Sequence, residues 1–274
     1  MKSFQQYFSL IEGHMPYGNN PFDQIAGKEL VFFDTETTGL SPGTSQITEI
    51  AAVIIDGDTF EKGDSYHVHI KLSDETLGQI EVEKDSKKKF KIENILDMTN
   101  YYNSKATVNE KEAIEGLSEF IPEGAILVAH NAPFDLKMVN TRAKNNGISP
   151  ITHFGKVLDT LLMSRQYFLP ASQELEAGGD AEAKRYLDEL TRQWNWKKTK
   201  RARLSSRLGD LAKALKDDLR DWHQAMADVN ATATLFQRFK KFFDEHFHKG
   251  LQDSPDFKRR YARTLGKTRW QQKS

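Results

Sequence analysis

An apolar run near the start of the chain, KELVFFDT (residues 28–35), leads into two carboxylates one residue apart, Asp34 and Glu36. Aromatic and β-branched residues favour a strand. Side chains two positions apart on a strand point to the same face, so both carboxylates lie together at the strand end. Neighbouring carboxylates repel each other unless a cation lies between them. Solvated acidic residues at a strand end are the alternative, and only further carboxylates would define a site.

Strand-like segments come first, and helices alternate with strands after them. The segments ITEIAAVIIDGD (from Ile47) and SYHVHIKL complete a set of three strands, and Tyr66–Leu72 alternates as a strand with one wet face does. The later predicted elements are a helix over 108–120 with Asn109 as a possible cap, a strand over 125–130, a helix from about Pro133, a short strand over 156–160 and a long helix over 224–243. This order predicts an α/β fold, a mixed β-sheet flanked by helices.

Length and composition predict one elaborated domain. The 274 residues suit a single core, expected over 29–248, after an N-terminal extension of residues 1–28. Residues 164–206 are rich in Glu, Ala, Lys and Arg and predict a helical basic insertion, and residues 249–274 form a basic tail. The chain has no cysteine and no uncharged stretch near membrane-spanning length, so we expect a cytoplasmic protein without membrane contact.

Two later segments supply further acidic residues. HNAPFDLKMVN follows a predicted strand and puts Asp135 in the first turn of a helix. DWHQAMADVNATATLF puts His223 five residues before Asp228. Five helical residues turn about 140° around the axis, so His223 is expected on the loop before the helix, with Asp228 pointing into the site. Asp135 could instead simply favour a helix N-terminus, and His223 could be packed.

The three segments match a known family. FDTETTGL, HNAPFD and HQAMAD resemble, in this order, the three motifs of the DEDDh group of DnaQ-like 3′→5′ exonucleases. The resemblance covers roughly residues 29–165 and 204–243 and implies a ribonuclease H-like fold.

The resemblance also implies the catalytic residues. Asp34, Glu36, Asp135 and Asp228 would hold two divalent cations, Mg²⁺ or Mn²⁺, and His223 would be the general base for the attacking water. Oxygen-only ligands suit these hard cations, and two such ions can stabilise both oxygens of a phosphodiester displacement.

Five residues match family positions that hold the end of the substrate. By the resemblance, Leu40 and Phe134 sandwich the last base, the backbone around Thr37 and Thr38 receives the 3′-hydroxyl, and Asn131 lies in the same pocket. Stacking on apolar side chains holds a base without reading it. Ordinary packing is the alternative role.

Two basic stretches depart from the family pattern. Arg192–Arg207 carries seven cations and no acid, and the tail from Phe257 carries seven more. The first stretch is either a nucleic-acid track or a charged helix face anchored by its tryptophans. The tail is a nucleic-acid-binding arm, a docking site for a replication or repair protein, or a solvated end. The candidate track residues are Trp194, Trp196, Lys197, Lys198, Lys200, Arg201 and Arg203.

Together these features predict a free-standing, metal-dependent 3′→5′ exonuclease that acts on single-stranded or frayed DNA and releases nucleoside 5′-monophosphates. An exoribonuclease is the alternative enzyme, because the motifs do not define contacts to a 2′-hydroxyl. A non-catalytic nucleic-acid-binding module is the alternative of another class.

Overall fold

Six strands form one mixed sheet in the part of the chain that the structure describes. The computed structural model describes residues 22–77, 107–151, 154–194 (without the side chains of 192–194), 204–215 and 224–246. The strands are β1 (Glu29–Thr37), β2 (Ile47–Asp56), β3 (Lys62–Ile70), β4 (Thr107–Val108), β5 (Ile126–Ala129) and β6 (Lys156–Asp159).

The sheet order is β4-β3-β2-β1-β5-β6. The chain first forms the antiparallel meander β1-β2-β3, and β4, β5 and β6 then add in parallel to β3, β1 and β5, respectively. The predicted mixed α/β sheet is therefore confirmed, and β1 lies inside it, paired on both sides.

Helices cover both faces of the sheet. The labelled helices are α1 (Glu110–Phe120), α2 (Ala132–Asn145), α3 (Thr160–Met163), α4 (Leu169–Ala177), α5 (Ala181–Trp194), α6 (Leu208–Ala214) and α7 (Ala225–His246). A π-helical turn, Ser164–Phe168, joins α3 to α4, and a single helical turn covers 74–77.

The start of α1 follows the sequence prediction in part. Asn109 caps the helix: its side chain accepts a hydrogen bond from the Glu112 backbone N–H at 2.9 Å, and Glu112 reaches back to the Asn109 N–H. Val108, predicted as the first apolar position of the helix, instead belongs to β4 and pairs with Ile70. That prediction was wrong because the pairing partner of Val108 lies far from it in the sequence, where a local pattern cannot indicate it.

The wet face predicted for β3 is also wrong at one position. His69 is only 9% exposed, although it alternates with apolar residues in the sequence. Its partner in the register is Glu49 on β2, and Glu49 is hydrogen-bonded to the N-terminus of α7.

Two hydrophobic cores sandwich β1. Leu30 and Phe32 point into the core shared with α7, while Val31 and Phe33 point into the core shared with α1 and α2. Alternate residues of β1 therefore anchor the strand on both faces, as the period of two requires. This packing fixes the position of β1 independently of the carboxylates at its end.

Phe236 joins α7 to β1. It is fully buried, and its ring meets those of Phe22 and Phe32 edge to face at 5.1 and 5.5 Å. Edge-to-face pairs add to the free energy of burial. This contact sets where α7 lies against the strand.

A partly buried ion pair joins α1 to α2 on the opposite face. Arg142 donates from Nε and Nη2 to both carboxylate oxygens of Glu110, at 2.8 and 2.7 Å, and Asn146 donates to the same carboxylate at 2.9 Å. The Ile47 backbone N–H also donates to Glu110 at 3.3 Å. The two helices are thus tied to the first residue of β2.

The predicted insertion is helical where it is described, through the π-turn, α4 and α5. Its boundaries at residues 164 and 206, and those of the terminal segments, stay predictions. Among the described helices, none combines the length and apolar character that crossing a membrane requires.

We expect Phe236→Ala to lower the free energy of unfolding by about 3–5 kcal/mol, because it removes a buried ring and leaves a cavity. Denaturant unfolding followed by circular dichroism measures this loss. Lys241→Ala, on the exposed side of the same helix, should change it by less than about 1 kcal/mol. Equal effects of the two substitutions would contradict the packing role of Phe236.

Candidate active site

Three carboxylates meet where β1 ends and α7 begins. Asp34 and Glu36 lie on one face of β1, and Asp228 lies in the first turn of α7. Each residue offers a carboxylate oxygen, and these three oxygens lie within 4.8 Å of one another. Two residues from one motif and one from a motif almost two hundred positions away are thus brought together.

The beginning of α7 is held to the sheet by a fourth carboxylate. Glu49 accepts a hydrogen bond from the backbone N–H of Ala225, the first residue of α7. A carboxylate at a helix N-terminus is favourable because it satisfies a donor that has no partner inside the helix. Glu49 lies directly opposite Glu36 in the β1–β2 register, so this bond helps to place Asp228 beside the strand.

Asp135 adjoins the three carboxylates but serves first as a link between α2 and β1. It is 2% exposed and accepts hydrogen bonds from the Thr35 backbone N–H at 3.1 Å and the Thr35 hydroxyl at 2.8 Å. Its charge also acts on Asp34 and Glu36. The three oxygens within 4.8 Å of one another do not include one from Asp135.

Burial and mutual repulsion disfavour the charged forms of these acids. Burial, followed by the charges of Asp135 and Asp228, raises the pKa of Asp34 well above its usual range. Burial and the charges of Asp228 and Glu49 raise the pKa of Glu36 to about 7. Burial also raises the pKa of Asp135 to about 7, although the Thr35 hydrogen bonds oppose this shift. The donor set therefore fits a divalent cation, which would relieve the repulsion.

The five predicted substrate residues lie at or shortly after the ends of β1 and β5, which are parallel neighbours in the sheet. Leu40 is 76% exposed. Phe134 is partly buried against the core of α1 and α2, and Asn131 is exposed at the start of α2. The Thr37 hydroxyl donates to the Gly39 carbonyl at 2.8 Å, and the Thr38 hydroxyl accepts from the Gln46 N–H at 3.0 Å. Their substrate roles stay predictions.

The remaining predicted residues fall outside the described part of the chain, apart from the backbone of Trp194. His223 lies outside the described residues, as do the track candidates from Trp196 to Arg203 and the tail 249–274. Trp194 is the last residue of α5, and its side chain is not described. Their roles as base, nucleic-acid track and docking tail stay predictions.

Asp159, which the sequence did not single out, is a further buried carboxylate near the site. It ends β6 and accepts hydrogen bonds from the backbone N–H groups of Asn131 and Leu161, both at 2.9 Å. It thereby fixes Asn131, whose backbone is left-handed with φ 76°, at the start of α2. The position of Asp159 directly after the apolar residues of KVLDT was the available signal.

His130 was also missed and is a structural link. Its ring nitrogens lie 2.9 Å from the Thr160 hydroxyl and 3.0 Å from the Ser206 carbonyl oxygen. Burial lowers the pKa of His130 to about 4, so the ring is neutral at physiological pH and ties the end of β5 to the segment before α6.

The family assignment agrees with this site. The family model described as exonuclease, RNase_T, matches residues 31–236, which is well over half of the chain. The protein belongs to this exonuclease family. The matched segment contains all three motifs and the cluster of Asp34, Glu36 and Asp228.

Individual relatives cover the chain in part. DNA polymerase III PolC-type of Staphylococcus haemolyticus is 34% identical over 161 residues, covering 57% of this chain and 10% of that protein. The corresponding Staphylococcus aureus protein is 32% identical over 161 residues, which again cover 57% of this chain and 10% of that protein. The chain thus spans about a tenth of the length of these curated relatives.

Solved structures share the fold. Escherichia coli exonuclease I in complex with a dT13 oligonucleotide has a TM-score of 0.53 and 20% identity, over 81% of this chain and 43% of that chain. The zinc-bound form of the exonuclease I complex with single-stranded DNA has a TM-score of 0.52 and 20% identity, over 81% of this chain and 42% of that chain. The ribonuclease H-like fold expected from the motifs is confirmed.

In the presence of a chelator, we expect the free energy of unfolding to fall as the pH rises from about 4.5 to about 7. Folded Glu36 keeps a proton up to its raised pKa of about 7, whereas the unfolded chain releases it near 4.5. The loss should be of the order of 1–3 kcal/mol. Denaturant unfolding at several pH values measures it.

Glu36→Gln should make this profile less steep, because it removes one of the acids whose pKa is raised, while Asp34 and Asp135 keep part of the pH dependence. Glu123→Gln, in an exposed turn, should leave the profile unchanged. Adding a divalent cation at pH 7 to 8 should restore stability because the cation binds the ionised carboxylates. Equal pH dependence of the wild-type protein and Glu36→Gln would contradict the raised pKa of Glu36.

Proposed function

We propose that this protein is a metal-dependent 3′→5′ exonuclease that removes nucleoside 5′-monophosphates from single-stranded or frayed DNA. The convergence of Asp34, Glu36 and Asp228 at the end of β1 carries the proposal, with Asp135 adjoining them. Membership of the exonuclease family supports the same reaction class.

Each carboxylate has its own role in the proposal. Asp34, Glu36 and Asp228 would hold divalent cations with their clustered oxygens, and Asp135 would complete the set from the start of α2. When bound, such cations activate water and stabilise an expelled 3′-oxyanion. The cations are proposed to be Mg²⁺ or Mn²⁺, because an oxygen-only donor set favours hard metals.

His223 completes the proposed mechanism as the general base that takes a proton from the attacking water. An imidazole with an ordinary pKa of about 6.5 is neutral above pH 7 and can accept that proton. Its place in the sequence, two residues before α7 begins, supports this role because Asp228 lies in the first turn of that helix.

Single-stranded DNA is the proposed substrate. Leu40, three residues after the end of β1 and 76% exposed, supports it because an apolar side chain in solvent can stack on a terminal base. Related proteins are a DNA polymerase and an exonuclease solved with an oligothymidylate. A cytoplasmic location and a replication or repair partner for the tail are further parts of the proposal.

The reaction can be tested with 5′-labelled DNA oligonucleotides and added Mg²⁺. We expect a ladder of products shortened from the 3′ end, and Asp34→Asn should slow its formation by more than about 10²-fold, since it removes a proposed metal ligand. Asp64→Asn, exposed on β3, is the matched control and should keep the wild-type rate.

Parallel reactions distinguish the rival activities. Faster digestion of a labelled RNA of the same sequence would replace the DNA proposal with an exoribonuclease. Binding of the oligonucleotides without cleavage in both Mg²⁺ and Mn²⁺ would instead indicate a non-catalytic binding module.

Leu40→Ala should weaken binding of a single-stranded DNA 3′ end by about 5- to 150-fold, the range that corresponds to the loss of 1–3 kcal/mol of base stacking. Fluorescence anisotropy in the Asp34→Asn background measures affinity without degrading the DNA. Leu40→Met should retain most of the affinity. Unchanged binding by Leu40→Ala would remove this residue from the substrate site.

A further inference from the structure

A second group of metal-binding side chains lies beside the carboxylates, on the same face of the sheet. It consists of Glu49 on β2 and of His67 and His69 on β3, and their potential ligand atoms lie within 4.8 Å of one another. This composition differs from the carboxylate-only cluster of Asp34, Glu36 and Asp228.

The strand register builds this group. His69 lies directly opposite Glu49, and His67 lies two positions before His69, so both imidazoles share the face of the glutamate. The two rings meet with their centroids 4.9 Å apart, and His67 Nε2 lies 2.6 Å from Glu49 Oε1. The backbone pairing alone therefore holds three donors together.

Glu49 is also oriented as metal ligands usually are. Its carboxylate accepts the hydrogen bond from the Ala225 backbone N–H, which restricts its rotation, while a carboxylate has lone pairs for a second partner. Ligands held by such outer hydrogen bonds bind metals more tightly. Glu49 is 1% exposed, whereas the His67 side chain is 35% exposed, so an ion would have an entry path from the solvent.

The charge distribution favours a cation at this place. Glu36 and Glu49 face each other across the β1–β2 ladder, and like charges at directly opposite positions are destabilising. A cation bound by Glu49 and the two histidines would offset the charge of Glu49 from the side opposite Glu36.

We propose that Glu49, His67 and His69 form a separate site for a divalent transition metal of the zinc class. Two imidazoles and one carboxylate are a common zinc donor set that leaves coordination positions for water. Imidazole nitrogen favours Zn²⁺, Co²⁺, Ni²⁺ and Cu²⁺, whereas carboxylate-only sites suit Mg²⁺ and Mn²⁺. Bonds of 2.0–2.2 Å place tetrahedral ligand atoms about 3.3 Å apart, so His67 and His69 would draw closer to Glu49 when an ion binds.

Cobalt binding tests the site without reference to nuclease activity. The full chain, without a polyhistidine tag, is treated with a chelator, dialysed into excess Mg²⁺ to fill the carboxylate cluster, and titrated with Co²⁺. We expect one equivalent of Co²⁺ to bind with the intense visible absorption of a low-coordinate site containing nitrogen ligands, and Zn²⁺ to displace it. Zn²⁺ should also raise the melting temperature by mass action.

Variants assign the signal to these residues. The double substitution His67→Asn and His69→Asn should weaken Co²⁺ binding by at least about 100-fold and abolish the Zn²⁺-dependent shift in melting temperature. His246→Asn, at the end of α7, and Asp34→Asn, in the carboxylate cluster, should retain both. If the double variant does not fold, as judged by circular dichroism, His67→Asn alone serves, because this side chain is partly exposed.

Two outcomes would overturn the proposal. One is the absence of stoichiometric Co²⁺ binding by the wild-type protein in excess Mg²⁺, which would leave the three residues as a hydrogen-bonded pair with a neighbouring imidazole. The other is an absorption band that survives in the folded histidine variant and therefore comes from elsewhere. Neither depends on whether the protein degrades DNA, so the proposed exonuclease function is tested independently.

Discussion

Burial of β1 on both faces is the constraint on which the rest of the site depends. Leu30 and Phe32 fix the strand against α7, and Val31 and Phe33 fix it against α1 and α2. Since side chains alternate along a strand, this packing also determines the face on which Asp34 and Glu36 must lie. The other acids reach the site because their helices pack against this strand.

The site brings together more negative charge than its protein surroundings readily stabilise. Thr35 donates two hydrogen bonds to Asp135, and helix N-termini donate to Glu49 and Asp159. These bonds anchor the outer acids, yet the pKa values of Asp34 and Glu36 remain raised. This repulsion is unfavourable for folding in the absence of a cation. Under the same condition a divalent cation binds strongly and contributes to stability.

One row of side chains across three strands joins two kinds of donor chemistry. Glu36, Glu49 and His69 are successive neighbours in the register of β1, β2 and β3. Glu49 stands between the carboxylate cluster and the imidazoles and also holds the first residue of α7. Through this single residue, the position of Asp228, the charge at Glu36 and the proposed transition-metal site are physically connected.

The sequence by itself determined the local features of the protein. Period-two patterning predicted β1 and the shared face of Asp34 and Glu36, the Asn109 signal predicted a real helix cap, and three motifs predicted the exonuclease family. Only the tertiary structure decided that Val108 pairs with β3, that Asp135 binds Thr35, and that Glu49 meets two histidines. Periodicity and capping depend on neighbours a few residues away, whereas these contacts depend on strand register and helix packing between distant segments, which no local pattern specifies.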